Sequence, residues 1–217
     1  IGLRKNLAIM SRVSTRVFLD EAKFLKDLEK DGLDKEGNKN FEVFFNGRFI
    51  GSVDNSEEFV RKIREKRRTG ELPIQMNVRN DSEFETVIIS TEPGRVLRPL
   101  IVVENGTSNL KNEHLIQLEQ GELNWNDLVK QGIIEYLDAS EEENSLVALY
   151  EEEVTPKHTH LEVDPVDVLG VVTSLLPYVN HNSCAKLIKG SKGYKQALGL
   201  YAANYLCRLD TDVSVLQ

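Results

Sequence analysis

The sequence predicts an α+β fold, small mixed domains followed by a partly helical region, and three observations carry that expectation. Asn46-Gly47 stands between segments rich in Phe, Val and Ile, the pattern of a hairpin with a type I′ turn across Val43 to Val53. Asn55, with Glu58 three residues on, caps a helix whose apolar stripe is Phe59, Val60 and Ile63 and which ends near Gly70. Asp164-Pro165 opens another helix, with Asp164 as cap, Pro165 at the first helical position and Asp167 in the first turn.

Between these landmarks, strands are expected at Ile74 to Val78, Phe84 to Ser90 and Leu97 to Val103, the second and third joined by a turn at Pro93-Gly94. Asn112 to Gly132 reads as two short helices, each with an Asn at its start and a Gly at its end. Ile133 to Leu137 reads as a strand, Asp138 to Glu143 as an acidic run, Ser145 to Tyr150 as a strand and Glu151 to Lys157 as a polar connection. The helix body from Val166 to Leu176 is apolar on nearly every face, so it belongs in the interior of something larger, and Pro177 stops it. Tyr178 to Gly193 reads as a loop, and Tyr194 to Leu206 as a second helix or an irregular packed segment.

Composition narrows the function classes. The 217 residues are 40% hydrophobic, enough to bury a core. A net charge of -8 argues against a free-standing nucleic-acid binder, so any contact with DNA or RNA has to be local. Cys184 and Cys207 form no disulfide framework and no zinc pair, which fits a reducing cytoplasm. No stretch has the length of a membrane-spanning helix. Ile1 begins directly in a strongly patterned run without an initiator Met, so the piece looks cut from a longer polypeptide.

Several groups of residues could carry chemistry. His158, His160 and Glu162 would share one face of an extended segment, as metal ligands do, but no further ligand has characteristic spacing, and histidines that hydrogen-bond at a strand edge are the preferred reading. The acidic groups Asp138 to Glu143 and Glu151 to Glu153 read as solvated surface rather than a magnesium site. His181 with Cys184 carries little information as a base and nucleophile. Arg61 to Arg68 reads as a solvated basic face balanced by Glu57, Glu58 and Glu65. The best candidate for polyanion contact is the stretch holding Lys186, Lys189, Lys192 and Lys195, which contains no acid and is interleaved with Gly190 and Gly193.

Six stretches then recur in a familiar order. They are Ile1-Gly-Leu-Arg-Lys-Asn-Leu7; Val43 to Gly51 with Ile63 to Arg68; Gly94-Arg-Val-Leu-Arg-Pro-Leu-Ile-Val-Val-Glu104; Trp125 to Gly132 with Ile134 to Asn144; His158 to Pro165 with Leu169 to Val172, Pro177-Tyr178 and His181-Asn182; and Lys195-Gln196-Ala197. Together they resemble an internal part of the second-largest subunit of multisubunit, archaeal-type DNA-directed RNA polymerases. Leu200-Tyr-Ala-Ala-Asn-Tyr205 leans to the archaeal branch, whereas Glu92-Pro93 replaces the family's usual Asp-Ala.

The resemblance implies a domain order: residues 1–14 as the end of a fork region, 15–110 as an α+β domain like the first external domain, 111–156 as a part like the second, and 157–217 as the start of the hybrid-binding domain. It implies nucleotidyl transfer only within the assembly, with the largest subunit, the DNA template, the RNA-DNA hybrid and nucleoside triphosphates as partners. Mg2+ would be bound mainly by aspartates of the largest subunit, not by this chain. Lys186, Lys195 and Gln196 would lie near the nucleotide or the RNA 3′ end, with Lys189 and Lys192 as further nucleic-acid contacts. Lys186 stands where most relatives have Arg, and a point-charge ammonium cannot make the bidentate phosphate contact of a guanidinium. The alternative from the residues alone is a stand-alone protein-interaction module without catalytic activity.

Overall fold

The computed structural model describes residues 6–196. It divides into a larger unit, Met10–Val168, and a smaller one whose described residues are 6–9 and 169–196.

The larger unit holds β1 (Arg12–Val13), α1 (Glu21–Lys30), β2 (Phe41–Phe45), β3 (Arg48–Val53), α2 (Ser56–Arg68), β4 (Asn77–Asp81), β5 (Thr86–Ser90), β6 (Val96–Glu104) and β7 (Thr107–Ser108). It continues with α3 (Asn112–Glu119), α4 (Trp125–Lys130), β8 (Ile134–Asp138), α5 (Ala139–Glu142), β9 (Val147–Ala148) and β10 (His160–Leu161). Both sheets are mixed, each with one parallel pair among antiparallel ones, and helices are interspersed with the strands, consistent with the α+β expectation.

A four-stranded sheet runs β3-β2-β5-β4. Asn46 and Gly47 take the left-handed conformation at φ 48° and 77°, the type I′ geometry that lets β2 and β3 pair with the native twist. Asn55 accepts a hydrogen bond from Glu58 N and so caps α2 as its sequence predicts. One core forms where Phe24 and Leu28 of α1 and Phe59, Val60 and Ile63 of α2 pack with Val43, Phe45, Val87 and Ile89. The strand expected from Ile74 begins only at Asn77, because Pro73 starts a turn closed by Met76 N donating to Pro73 O.

The turn at Pro93-Gly94 forms, with Gly94 at φ 90°, but it joins two sheets rather than two neighbouring strands. After it the chain enters β6, the spine of a six-stranded sheet that pairs with β1, β7, β8 and β10, while β9 pairs with β10 in parallel. Leu128 and Val129 of α4 pack with Leu97, Ile134 and Tyr136 in a second core, and Ile101, Val103, Ala148 and Leu161 form a third. The strand expected over Ser145 to Tyr150 is reduced to Val147–Ala148.

In the smaller unit the long apolar helix is absent. A 3-10 turn at Pro165–Val168 closes the larger unit, and after a break the smaller unit has α6 (Val171–Ser174) and α7 (Cys184–Gln196). The break has a physical cause. Leu169 O accepts a hydrogen bond from Ile9 N at 2.9 Å, and a Cβ on Gly170 would sit 2.4 Å from Asn6 Cβ. The carbonyl a continuous helix would need at Leu169 is spent on the N-terminal segment, so the α-helical ladder starts anew with Ser174 N donating to Gly170 O. Asp164 still caps its own turn, its Oδ1 accepting from Val166 N.

Candidate nucleic-acid interface

The expected loop from Tyr178 to Gly193 is mostly helix: after a 3-10 turn at Val179–His181, α7 occupies residues 184–196. Ser183 starts it, with Lys186 N donating to Ser183 O at 3.0 Å and to Ser183 Oγ at 3.4 Å. Gly190 and Gly193 suggested a loop, but Ala, Leu, Lys and Gln around them favour the helix. A Cβ on either glycine would meet nothing within 4 Å, so these positions leave bare backbone between the lysines rather than a tight turn.

α7 has a buried side and an outward side. Ser191 is buried and shares a 3.1 Å hydrogen bond with Thr173 of α6. At about 100° per residue, Lys186, Lys189, Lys192 and Gln196 fall in an arc of about 120° roughly opposite Ser191. All four are exposed. None of the three lysines has a carboxylate partner among the described residues. Lys195 lies in the same helix. The tail from 197 onward, including Ala197 and the expected segment to Leu206, lies outside the described residues.

The other sequence candidates are not brought together. His158 Nδ1 accepts from Thr155 N at 3.0 Å, whereas His160 is buried with Nε2 3.3 Å from Glu135 Oε2 and Glu162 is paired with Arg98 at 2.9 Å. His181 packs edge-on against Tyr178, while Cys184 is exposed. Among the described residues no three His, Cys, Asp or Glu side chains converge as metal ligands.

Two readings of the charged runs need correction. Neither the basic run nor the acidic one is wholly solvated: Arg67 is 4% exposed, Glu135 4% and Glu141 1%. Arg67 donates from Nη1 to Met76 O and Glu141 Oε2, each at 2.7 Å, and from Nη2 to Glu135 Oε2 at 3.0 Å and Glu141 Oε1 at 2.9 Å. Arg64 reaches Glu141 and Arg68 reaches Glu135. Burial works against the charge on each glutamate, but the guanidinium of Arg67 outweighs it, aided by Arg64 at Glu141 and by His160 and Arg68 at Glu135. Both carboxyls are held below their ordinary range. On Arg67 burial likewise opposes the charge, and the two glutamates raise its pKa nonetheless.

Glu141 also accepts from Asn77 Nδ2 at 2.8 Å and Val78 N at 3.2 Å, and Asn144 Oδ1 accepts from Asn80 N at 3.0 Å. The segment read as a free acidic surface thus covers the open edge of β4 with side-chain oxygens, a standard protection of a sheet edge. One signal in the sequence marks Arg67: it continues the stripe Phe59, Ile63, Arg67 at intervals of four, on the buried face of α2. The remaining pairs, Arg61 with Glu65 and Lys62 with Glu58, are exposed as expected.

Residues 43–104 match the family model "RNA polymerase Rpb2, domain 4", and residues 125–165 match "RNA polymerase Rpb2, domain 5". The chain is 38% identical to DNA-directed RNA polymerase subunit Rpo2 of Sulfolobus acidocaldarius, over 99% of this chain and 20% of that protein. It is also 38% identical to DNA-directed RNA polymerase III subunit RPC2 of Saccharomyces cerevisiae, over 97% of this chain and 19% of that protein. The chain therefore spans about a fifth of the length of the curated relatives it matches. α7 lies beyond both family models.

Proposed function

We propose, from the premise that this chain is an Rpb2-type segment of the second-largest subunit of an RNA polymerase, that it supports DNA-templated RNA synthesis within the assembled enzyme and turns α7 toward the RNA-DNA hybrid. One observation carries the reading: an acid-free helix sets Lys186, Lys189, Lys192 and Gln196 on one outward arc, the lysines without a carboxylate partner among the described residues, in a chain whose net charge is -8. Ammonium groups set along a helix meet phosphates without reading bases, which suits an enzyme that accepts any template sequence.

The reaction is nucleotidyl transfer, and this chain's share is to position and neutralise phosphates. Catalytic Mg2+, supplying Lewis-acid and nucleophile activation, would be held mainly by the largest subunit. The carboxylates buried here suit guanidinium partners, since Glu135 and Glu141 already accept from Arg67, Arg68 and Arg64. Lys195 and Gln196 stand nearest the growing RNA end, Lys186 nearest the incoming nucleotide, and Lys189 and Lys192 against the backbone of the hybrid. Within the family we place the chain on the archaeal side, on the strength of Leu200-Tyr-Ala-Ala-Asn-Tyr205.

In an assembled polymerase carrying Lys195→Ala in this subunit, single-nucleotide addition is expected to slow by about tenfold while the subunits still co-purify. Wild-type addition rates in that enzyme would remove Lys195 from the site.

A further inference from the structure

A separate pocket in the larger unit has no role in that reading. It occupies about 580 Å3 beside β1, within the size range of built ligand sites. Its apolar part is formed by Val13, Ile74, Val129 and the ring of Tyr136, its polar part by Thr15, Gln75 and Asn126, and its cations are Arg12 and Lys130. Among the described residues no carboxylate lines it, in a chain with more acids than bases. The Arg12 guanidinium lies over the Tyr136 ring, 5.1 Å from its centroid, and has no acidic partner among the described residues. Lys130 is exposed and only loosely paired, 3.6 Å from Asp127.

The pocket also borders an open sheet edge. β1 ends the path of strands in its sheet, pairing Arg12 with Leu97 and Val13 with Val96, while Ser14 N donates to Arg95 O. By the alternation of antiparallel pairing, the main-chain N–H and C=O of Val13 point away from β6 onto the free edge. The next outward donor, Thr15 N, is taken by Gln75 Oε1 at 2.8 Å. An extended chain could therefore pair at Val13, drop an apolar side chain between Ile74 and Val129, and lay a carboxylate between Arg12 and Lys130.

We infer that this pocket docks an extended segment of a protein partner in which a large apolar residue is flanked by acidic ones. Charge complementarity selects acids, because among the described residues both rim cations lack a strong partner. The apolar floor selects a peptide over nucleic acid, because the one aromatic ring present, that of Tyr136, is only 5% exposed and covered by Arg12, leaving no platform for base stacking.

The test uses the 217-residue chain and a fluorescein-labelled peptide, Ser-Asp-Glu-Phe-Asp-Glu-Ser, followed by anisotropy. Saturable binding below about 1 mM is expected. It should weaken at least about tenfold when Phe is replaced by Ser in the peptide, and equally in the variant Arg12→Glu with Lys130→Glu. A control variant, Lys26→Glu with Lys111→Glu, changes net charge by the same amount at exposed positions elsewhere and should bind as the unchanged chain does. Circular dichroism establishes that both variants fold. Absence of saturable binding, equal binding of the Ser peptide, retention of binding in the Arg12/Lys130 variant, or equal binding of an oligothymidylate of the same charge each overturns the assignment.

Discussion

Arg67 joins distant parts of the larger unit. Its guanidinium is shared by Glu135 of β8 and Glu141 of α5, so one side chain ties the segment matching Rpb2 domain 4 to the segment matching domain 5. Replacing it strands two buried carboxylates, and Arg67→Met is expected to cost about 3–5 kcal/mol in urea unfolding. The pH dependence follows from the sign of the shifts. Glu135 and Glu141 have folded pKa values below their ordinary 4.5, so their stabilisation is present above that range and lost as pH falls through it toward the lowered values. Glu162 opposes this: burial raises its pKa despite Arg98, so its contribution is lost as pH rises. Stability should therefore fall between about pH 5 and pH 3, less steeply in Arg67→Met, where the freed carboxyls no longer titrate so low. An unchanged urea midpoint in Arg67→Met would show that the network does not hold the unit together. The stripe position of Arg67 marks its inward face, although the run Arg61 to Arg68 reads as solvated. The partners of Arg67 were not legible, because they lie 68 and 74 residues away and local sequence carries no record of such pairing.

At the scale of elements, signals written in adjacent residues translate directly into structure. Asn46-Gly47 makes its turn, Asn55 caps α2, and Gly121 and Gly132 follow the ends of α3 and α4 at φ 75° and 70°. Elements shaped by distant chain do not. Val166 to Leu176 reads as one helix, yet the hydrogen bond from Ile9 breaks it at Leu169. Gly190 and Gly193 read as loop, yet α7 absorbs both because its other residues favour helix. Gly51 shows how tightly the β2–β3 hairpin is set: at φ 153° its Cβ would stand 2.3 Å from Asp34 O, whose residue pairs with Ser52. Gly51→Ala is expected to destabilise the unit by roughly 1–3 kcal/mol, read as a lowered thermal midpoint. No change in that midpoint would mean the hairpin and the Asp34 loop separate freely.

At the scale of the whole molecule, composition describes an acidic scaffold and leaves the basic contact local. The run Arg61 to Arg68 turns partly inward to glutamates, whereas the outward lysines of α7 have no carboxylate partner among the described residues. Val166, Val168, Val171, Leu175 and Leu176 are 43% to 78% exposed, the apolar surface expected of a segment that packs within a larger assembly. The polymerase reading is legible in ordered motifs rather than in any chemistry of single residues, since the histidines and acids with suggestive spacing serve internal hydrogen bonds. The most direct test of the central claim is a photo-crosslink from a benzoylphenylalanine placed at Lys189 in an assembled, stalled elongation complex with labelled RNA and template DNA. The account predicts a crosslink to one of the two nucleic-acid strands, and crosslinks confined to protein would contradict it.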